Sequence, residues 1–170
     1  YFGGISTVLK PKSDGYNLNV IDINSSYPHA MTKDLPIGHG IWLNHDEITI
    51  LNKDLNNINN EGFKIFGFVE VLIEVNSKYT ISPLISVHDG KLTDLKGTMK
   101  VIRFTEELNF ILKNGGCIKH VYSGVIFNVG KPLNTFATKL YDDRTTTDKE
   151  GLKAIYKWLL NSGYGRFALK

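Results

Sequence analysis

The stretch KWLLNSGYGRF (residues 157–167) closes a helical pattern with two glycines set around a tyrosine. At about 100° per residue, Lys153, Lys157, Asn161 and Tyr164 fall within an arc of roughly 80° on one helix face. Leu152, Ile155, Tyr156, Leu159 and Leu160 fill the adjoining arc. One arc is expected to pack on the protein, leaving two ammonium groups, an amide and a phenol for something outside it. A solvated lysine face is the plain alternative. Gly163 and Gly165 argue against it, because glycine weakens a helix and lets backbone approach a ligand closely.

Working back from that stretch, the pattern is helical from about Leu133 to Leu160, with a break expected near Thr145–Thr147. At the other end, NLNVID (17–22) alternates as a short strand that finishes on Asp22. NSSYPHAM (24–31) follows, with Asn24, Ser25 or Ser26 able to cap a helix and Pro28 tolerated in its first turn. A carboxylate that ends a strand before a sharp turn is held rigidly enough to offer oxygen to a hard cation such as Mg²⁺. The competing reading is an aspartate that only caps the next helix.

The middle is less patterned. Residues 52–60, NKDLNNINN, are polar and asparagine-rich and read as a loop. In KIFGFVEVLIEV (64–75), Ile65, Val69, Val71, Ile73 and Val75 lie on one strand face opposite Glu70 and Glu74. KYTISPLI (78–85) is expected to pair with it as a hairpin across Asn76 and Ser77. Thr105 is placed as the cap of a helix with Glu106 and Glu107 in its first turn, an apolar stripe of Leu108, Ile111 and Leu112, and a stop at Gly115–Gly116. CIKHVYSGVIF (117–127) returns to strand.

Composition narrows the class. With 42% hydrophobic and 22% charged residues the chain is globular, and no run approaches the ~18 apolar residues of a membrane helix, so no membrane partner is expected. Cys117 is the only cysteine, which excludes an internal disulfide and any cysteine-rich zinc site and leans toward an intracellular setting. His29, His39, His45, His88 and His120 show no ligand spacing and receive no role. A net charge of +3 is compatible with nucleic acid without being diagnostic. The chain begins at Tyr1 rather than Met and ends inside a helical pattern, so it is read as a piece of a longer protein.

Three motifs in order now carry a resemblance. DINSSYP (22–28) and KWLLNSGYG (157–165) resemble the first and second polymerase motifs of family B DNA polymerases, D-x-x-S-L-Y-P and K-x-x-x-N-S-x-Y-G. YFGG (1–4) is similar to the Y-x-G-G motif that precedes them, and MTKDLPIG (31–38) with the intervals looks most like the protein-primed branch of phages and linear plasmids. The asparagine, isoleucine and lysine richness suits AT-rich coding, as on mitochondrial linear plasmids, so a mitochondrial location is expected.

The resemblance implies an α+β fold: a palm segment with the first motif in 1–37, palm strands plus a terminal-protein-region-like insertion in 38–132, and helical fingers in 133–170. It implies a template-directed DNA polymerase that transfers a nucleotide from a dNTP to a 3′ end of primer–template DNA. Asp22 would bind two Mg²⁺ ions with help from the Ile23 carbonyl, and the second carboxylate, from a third motif absent here, would lie outside the chain. Tyr27, Arg144, Lys153, Lys157, Asn161 and Tyr164 would meet the nucleotide, Tyr27 as the gate against a 2′-hydroxyl. Tyr1, Gly3, Gly4, Ser25, Ser162, Gly165 and Arg166 would touch DNA, and the insertion would contact a terminal protein primer. Two departures stand out: Ser26 replaces the usual leucine, and Gly163 replaces a larger residue. The alternatives are an inactive, polymerase-derived DNA-binding relic and a plain α+β domain.

Overall fold

The structure is a computed structural model that describes Gly15, Ile21 and residues 25–76, 84–88 and 91–166; for 85–88, 91, 92, 94 and 164–166 it describes the backbone alone. The strand expected at 17–22 and the YFGG stretch lie outside these residues. In chain order the elements are α1 (Ser26–Met31), β1 (Leu35–Trp42), α2 (His45–Lys53), α3 (Leu55–Glu61), β2 (Gly67–Val75), β3 (Ile85–His88), β4 (Lys91–Asp94) and β5 (Gly97–Phe104). They continue with α4 (Thr105–Lys113), β6 (Gly116–Gly130), α5 (Asn134–Thr146) and α6 (Glu150–Arg166). The architecture is α+β, as the resemblance implies. Two compact units form, one from Tyr1–Leu35 with Lys131–Lys170 and the other from Pro36–Gly130. No helix among the described residues is long and apolar enough to cross a membrane.

The Pro36–Gly130 unit is built on a sheet of order β1-β6-β2-β5, with β2 antiparallel to both β5 and β6. Strict alternation in β2 puts Val69, Val71, Ile73 and Val75 on a fully buried face. Ile118 and Val121 of the neighbouring β6 join the same core, with Leu108, Ile111 and Leu112 of α4, Ile58 of α3, and Phe63. Ile65, placed with the valines by the sequence pattern, precedes the strand and packs at the core's margin.

Three expectations fail in this unit. The hairpin with 78–85 does not form, because β5 and β6 occupy both edges of β2 along its length. Residues 77–83 lie outside the described chain, and Ile85 instead pairs with Asp94 in the small β3–β4 sheet. Thr105 is the first helical residue rather than the cap of α4, and its hydroxyl accepts from the Gly67 N–H at 3.2 Å where no water reaches. The asparagine-rich loop is two helices.

Asparagine disfavours helix interiors because its amide competes for backbone. Here the amide finds better partners on β6. Asn52 Nδ2 donates to Val121 O at 2.8 Å while the Val121 N–H donates to Asn52 Oδ1 at 2.9 Å. Asn59 grips Ile118 in the same two-bond manner, at 3.0 and 2.6 Å. Asn109 of α4 does so to Phe63, at 2.7 and 3.1 Å.

The first two clamps finish an edge. Ile37 packs at Gly130 and the Leu43 N–H donates to Gly124 O, so β1 runs antiparallel to the later part of β6 and, among the described residues, leaves 116–122 without a strand on that side. Val121 and Ile118 are three apart and in a regular strand would turn their peptide groups to opposite edges. The ladder pairs Leu72 with His120 and Ile73 with Ile118, so Lys119 is an extra residue. That bulge turns both peptides toward α2 and α3.

Candidate functional site

The other unit carries α1, α5 and α6, all three in mutual contact. α5 ends where Thr145 and Thr146 fold their hydroxyls back onto the Asp142 carbonyl, each at 2.9 Å, and Thr147 turns extended. This is the break expected in the threonine run. α6 then starts at Glu150, an acidic residue suited to the positive end of a helix.

α6 runs to Arg166, six residues beyond the expected end at Leu160, and passes through both glycines. A Cβ at Gly163 would meet nothing nearer than Met31 and Phe136 at 3.6 Å, an ordinary contact, so the glycine is not demanded by packing. The apolar arc is only partly a packing face. Leu160 is buried and Tyr156 and Leu159 half-buried, whereas Leu152 and Ile155 are exposed.

Opposite α6, α1 begins after Ser25 and has Pro28 in its first turn, where the missing N–H removes no helical bond, with Pro28 and Met31 buried. The start of α1 supplies Ser25, Ser26, Tyr27 and Pro28 to a cavity of about 620 Å³. α5 adds Tyr141, Arg144 and Thr145, and α6 adds Lys153, Lys157 and Asn161 at helical spacings of four. The volume is within the ~300–1,000 Å³ typical of small-molecule sites. A neighbouring cavity of about 500 Å³ shares Ser25, Pro28 and Tyr141 and extends over His29, Thr32, Ala137 and Thr138.

The large cavity is electrostatically one-sided. Arg144, Lys153 and Lys157 face it, and none of its described lining residues is acidic. Lys153 leans on exposed Glu150 at 2.7 Å. Arg144 donates to the Ser25 hydroxyl at 3.4 Å. For Lys157 the described residues provide no carboxylate within salt-bridge reach. Three cations, two tyrosines and an amide on one concave surface can hold a polyanion that also carries a flat, apolar part.

Of the residues singled out from sequence, Ser25, Tyr27, Arg144, Lys153, Lys157 and Asn161 therefore meet at one place. Ser162 is elsewhere, its hydroxyl donating to Leu159 O at 3.3 Å within α6. Tyr164, Gly165 and Arg166 form the last turn of α6. Tyr1, Gly3, Gly4, Asp22 and Ile23 lie outside the described residues. Sequence reading missed Tyr141 and Thr145, although their spacing from Arg144, three before and one after, puts all three on one flank of α5. Among the described residues no three His, Cys, Asp or Glu side chains gather as a metal site.

Comparison with known proteins gives this geometry a family. Residues 1–170 match the family described as DNA polymerase type B, organellar and viral, and the chain belongs to it. It is 29% identical over 182 residues to a probable DNA polymerase of Agaricus bitorquis, a match covering 100% of this chain and 21% of that protein. With a probable DNA polymerase of Ascobolus immersus it shares 28% identity over 172 residues, 99% of this chain and 13% of the relative. For one of Neurospora intermedia the figures are 29% over 178 residues, 99% and 17%. The chain thus spans about a fifth or less of these relatives.

The fold is similar to that of Phi29 DNA polymerase. Its orthorhombic crystal form superposes with a TM-score of 0.60 at 21% identity, over 88% of this chain and 26% of that one. The Phi29 ternary complex with primer-template DNA and incoming nucleotide substrates gives 0.55 at 21% identity, over 86% and 26%.

Proposed function

We propose that residues 1–170 are the nucleotide-receiving part of a template-directed DNA polymerase, which joins a dNTP to a primer 3′ end. The observation that carries this reading is the convergence of Arg144, Lys153 and Lys157 with Tyr27 and Asn161 on one cavity whose described lining holds no acidic residue. In the reaction a 3′ oxygen attacks the α-phosphorus, a new P–O bond forms and pyrophosphate leaves. The three cations neutralise the triphosphate as it binds and as charge moves onto the leaving group. Tyr27 sets its ring against the sugar, and Asn161 and Tyr164 border the nascent base pair.

The described residues form no metal cage of their own. The proposed donors for two Mg²⁺ ions are Asp22 and the Ile23 carbonyl, one carboxylate for two divalent charges, so a second carboxylate from beyond residues 1–170 is part of the proposal. Bound there, the ions would supply Lewis-acid stabilisation of the attacking and leaving oxygens. Tyr1, Gly3, Gly4, Ser162, Gly165 and Arg166 are proposed to hold the template strand by its backbone, which fixes register without reading sequence. Priming by a terminal protein seated on residues 38–132 belongs to the same proposal.

The test is primer extension by the longer chain that carries these residues together with the segments its relatives have beyond the match. Extension by the wild type, abolished by Asp22→Asn while DNA binding survives, supports the reading. A wild type that binds primer–template but extends nothing replaces it with the DNA-binding relic.

A further inference from the structure

Ser25 occupies the N-cap of α1 in a conformation that serines seldom adopt. Its φ of 55° and ψ of 39° place it in the left-handed region, the single non-glycine residue there among the described residues. Such backbone persists only where the surroundings over-determine it, and it collects at ligand sites. A serine at this position ordinarily turns its hydroxyl onto the free N–H groups of the helix it precedes. Ser25 makes no such bond. Its hydroxyl instead receives Arg144 Nη1 from α5 at 3.4 Å, and the residue borders both cavities.

We infer that Ser25 is a positioning residue for the incoming nucleotide, holding the Arg144 guanidinium at the cavity through its hydroxyl. This differs from the template contact implied by the family resemblance and rests on the reading of Arg144 as a triphosphate ligand. A guanidinium has five N–H donors in a fixed plane, so one bond to Ser25 orients the plane and leaves the others for phosphate. Without that bond the long side chain samples several rotamers, and ordering it falls on the nucleotide. The left-handed turn is what aims Oγ across to α5 instead of along α1.

Three variants of the primer-extending chain test this. Ser25→Gly keeps the turn, since glycine accepts positive φ, and removes only the hydroxyl. Ser25→Asn also tolerates the turn and returns an oxygen acceptor. Arg144→Ala removes the group being positioned. We expect Ser25→Gly to raise the dNTP KM about five-fold, the scale of one ordinary hydrogen bond, as suits a long bond of 3.4 Å, with the DNA Kd unmoved. Ser25→Asn should restore most of the loss, and Ser25→Gly should add nothing in an Arg144→Ala background. The inference is overturned if Ser25→Gly weakens DNA binding and leaves the dNTP KM alone, or if it raises KM equally without Arg144. An Arg144→Ala chain with wild-type dNTP KM would instead sink the nucleotide-site reading on which it rests.

Discussion

Replacing Asn52 with alanine removes one of the two clamps that close the early edge of β6, and its consequence can be worked from the bonds involved. Asn52 satisfies both the N–H and the C=O of Val121, at 2.9 and 2.8 Å. A neutral hydrogen bond contributes about 0.5–1.5 kcal/mol net, and a buried polar group left unpaired costs about 1–3 kcal/mol. The clamp is half-buried, so water recovers part of the loss, and about 2–3 kcal/mol for Asn52→Ala is the resulting figure. At about 1.4 kcal/mol per factor of ten, that is a 30- to 150-fold change in the opening equilibrium of the strand segment. Hydrogen exchange on the intact chain reads it locally, without requiring the whole protein to unfold in two states. Amides of residues 116–122 should exchange about 30- to 150-fold faster, while those of 124–130, paired with β1, hold near wild-type rates. Unchanged protection at 116–122 would refute the idea that α2 holds this edge through Asn52.

Further expectations concern glycines and the cavity. Gly67→Ala would drive its Cβ into the Val125 carbonyl oxygen and should lower stability by about 2–3 kcal/mol; Gly163→Ala meets only ordinary contacts and should raise it by about 0.5–1 kcal/mol. Thermal melts of the two variants should therefore move in opposite directions. Tyr27→Val is expected to admit ribonucleotides during primer extension, and unchanged sugar discrimination would remove Tyr27 from the gate role. Glu150→Gln frees Lys153 from an exposed pair at 2.7 Å. Because such a pair is worth only about 0.3–0.5 kcal/mol, the dNTP KM should fall about two-fold, and not at all once Lys153 is alanine.

What could be read from sequence was what repeats along the chain. The alternation of Val69, Val71, Ile73 and Val75 and the stripe of Leu108, Ile111 and Leu112 each reflect one buried face, and both gave the right element. The spacing of Lys153, Lys157 and Asn161 likewise gave the cavity-facing side of α6. The failures share a different cause: each depended on a partner distant in sequence. Asn52 and Asn59 looked like loop formers because their amides are 69 and 59 residues from the peptides that occupy them. Thr105 looked like a cap because Gly67, whose N–H donates to its hydroxyl, is 38 residues away. The supposed hairpin after Val75 lost to β5 and β6, whose pairing no local pattern announces. Helix α6 ran past Gly163 because its contacts with α1 and α5 override a propensity penalty of about 1 kcal/mol.

The proposal that Lys157, lining the cavity beside Arg144 and Lys153, receives the triphosphate of an incoming nucleotide is open to a direct test. Single-turnover primer extension with a dNTP titration, comparing Lys157→Ala with the wild-type chain, measures this most directly. Losing one charge-assisted bond to phosphate should lower the ratio of maximal rate to dNTP Kd by about 10- to 100-fold, with primer–template affinity retained. A Lys157→Ala chain that extends primers with wild-type rate and dNTP affinity would contradict the account.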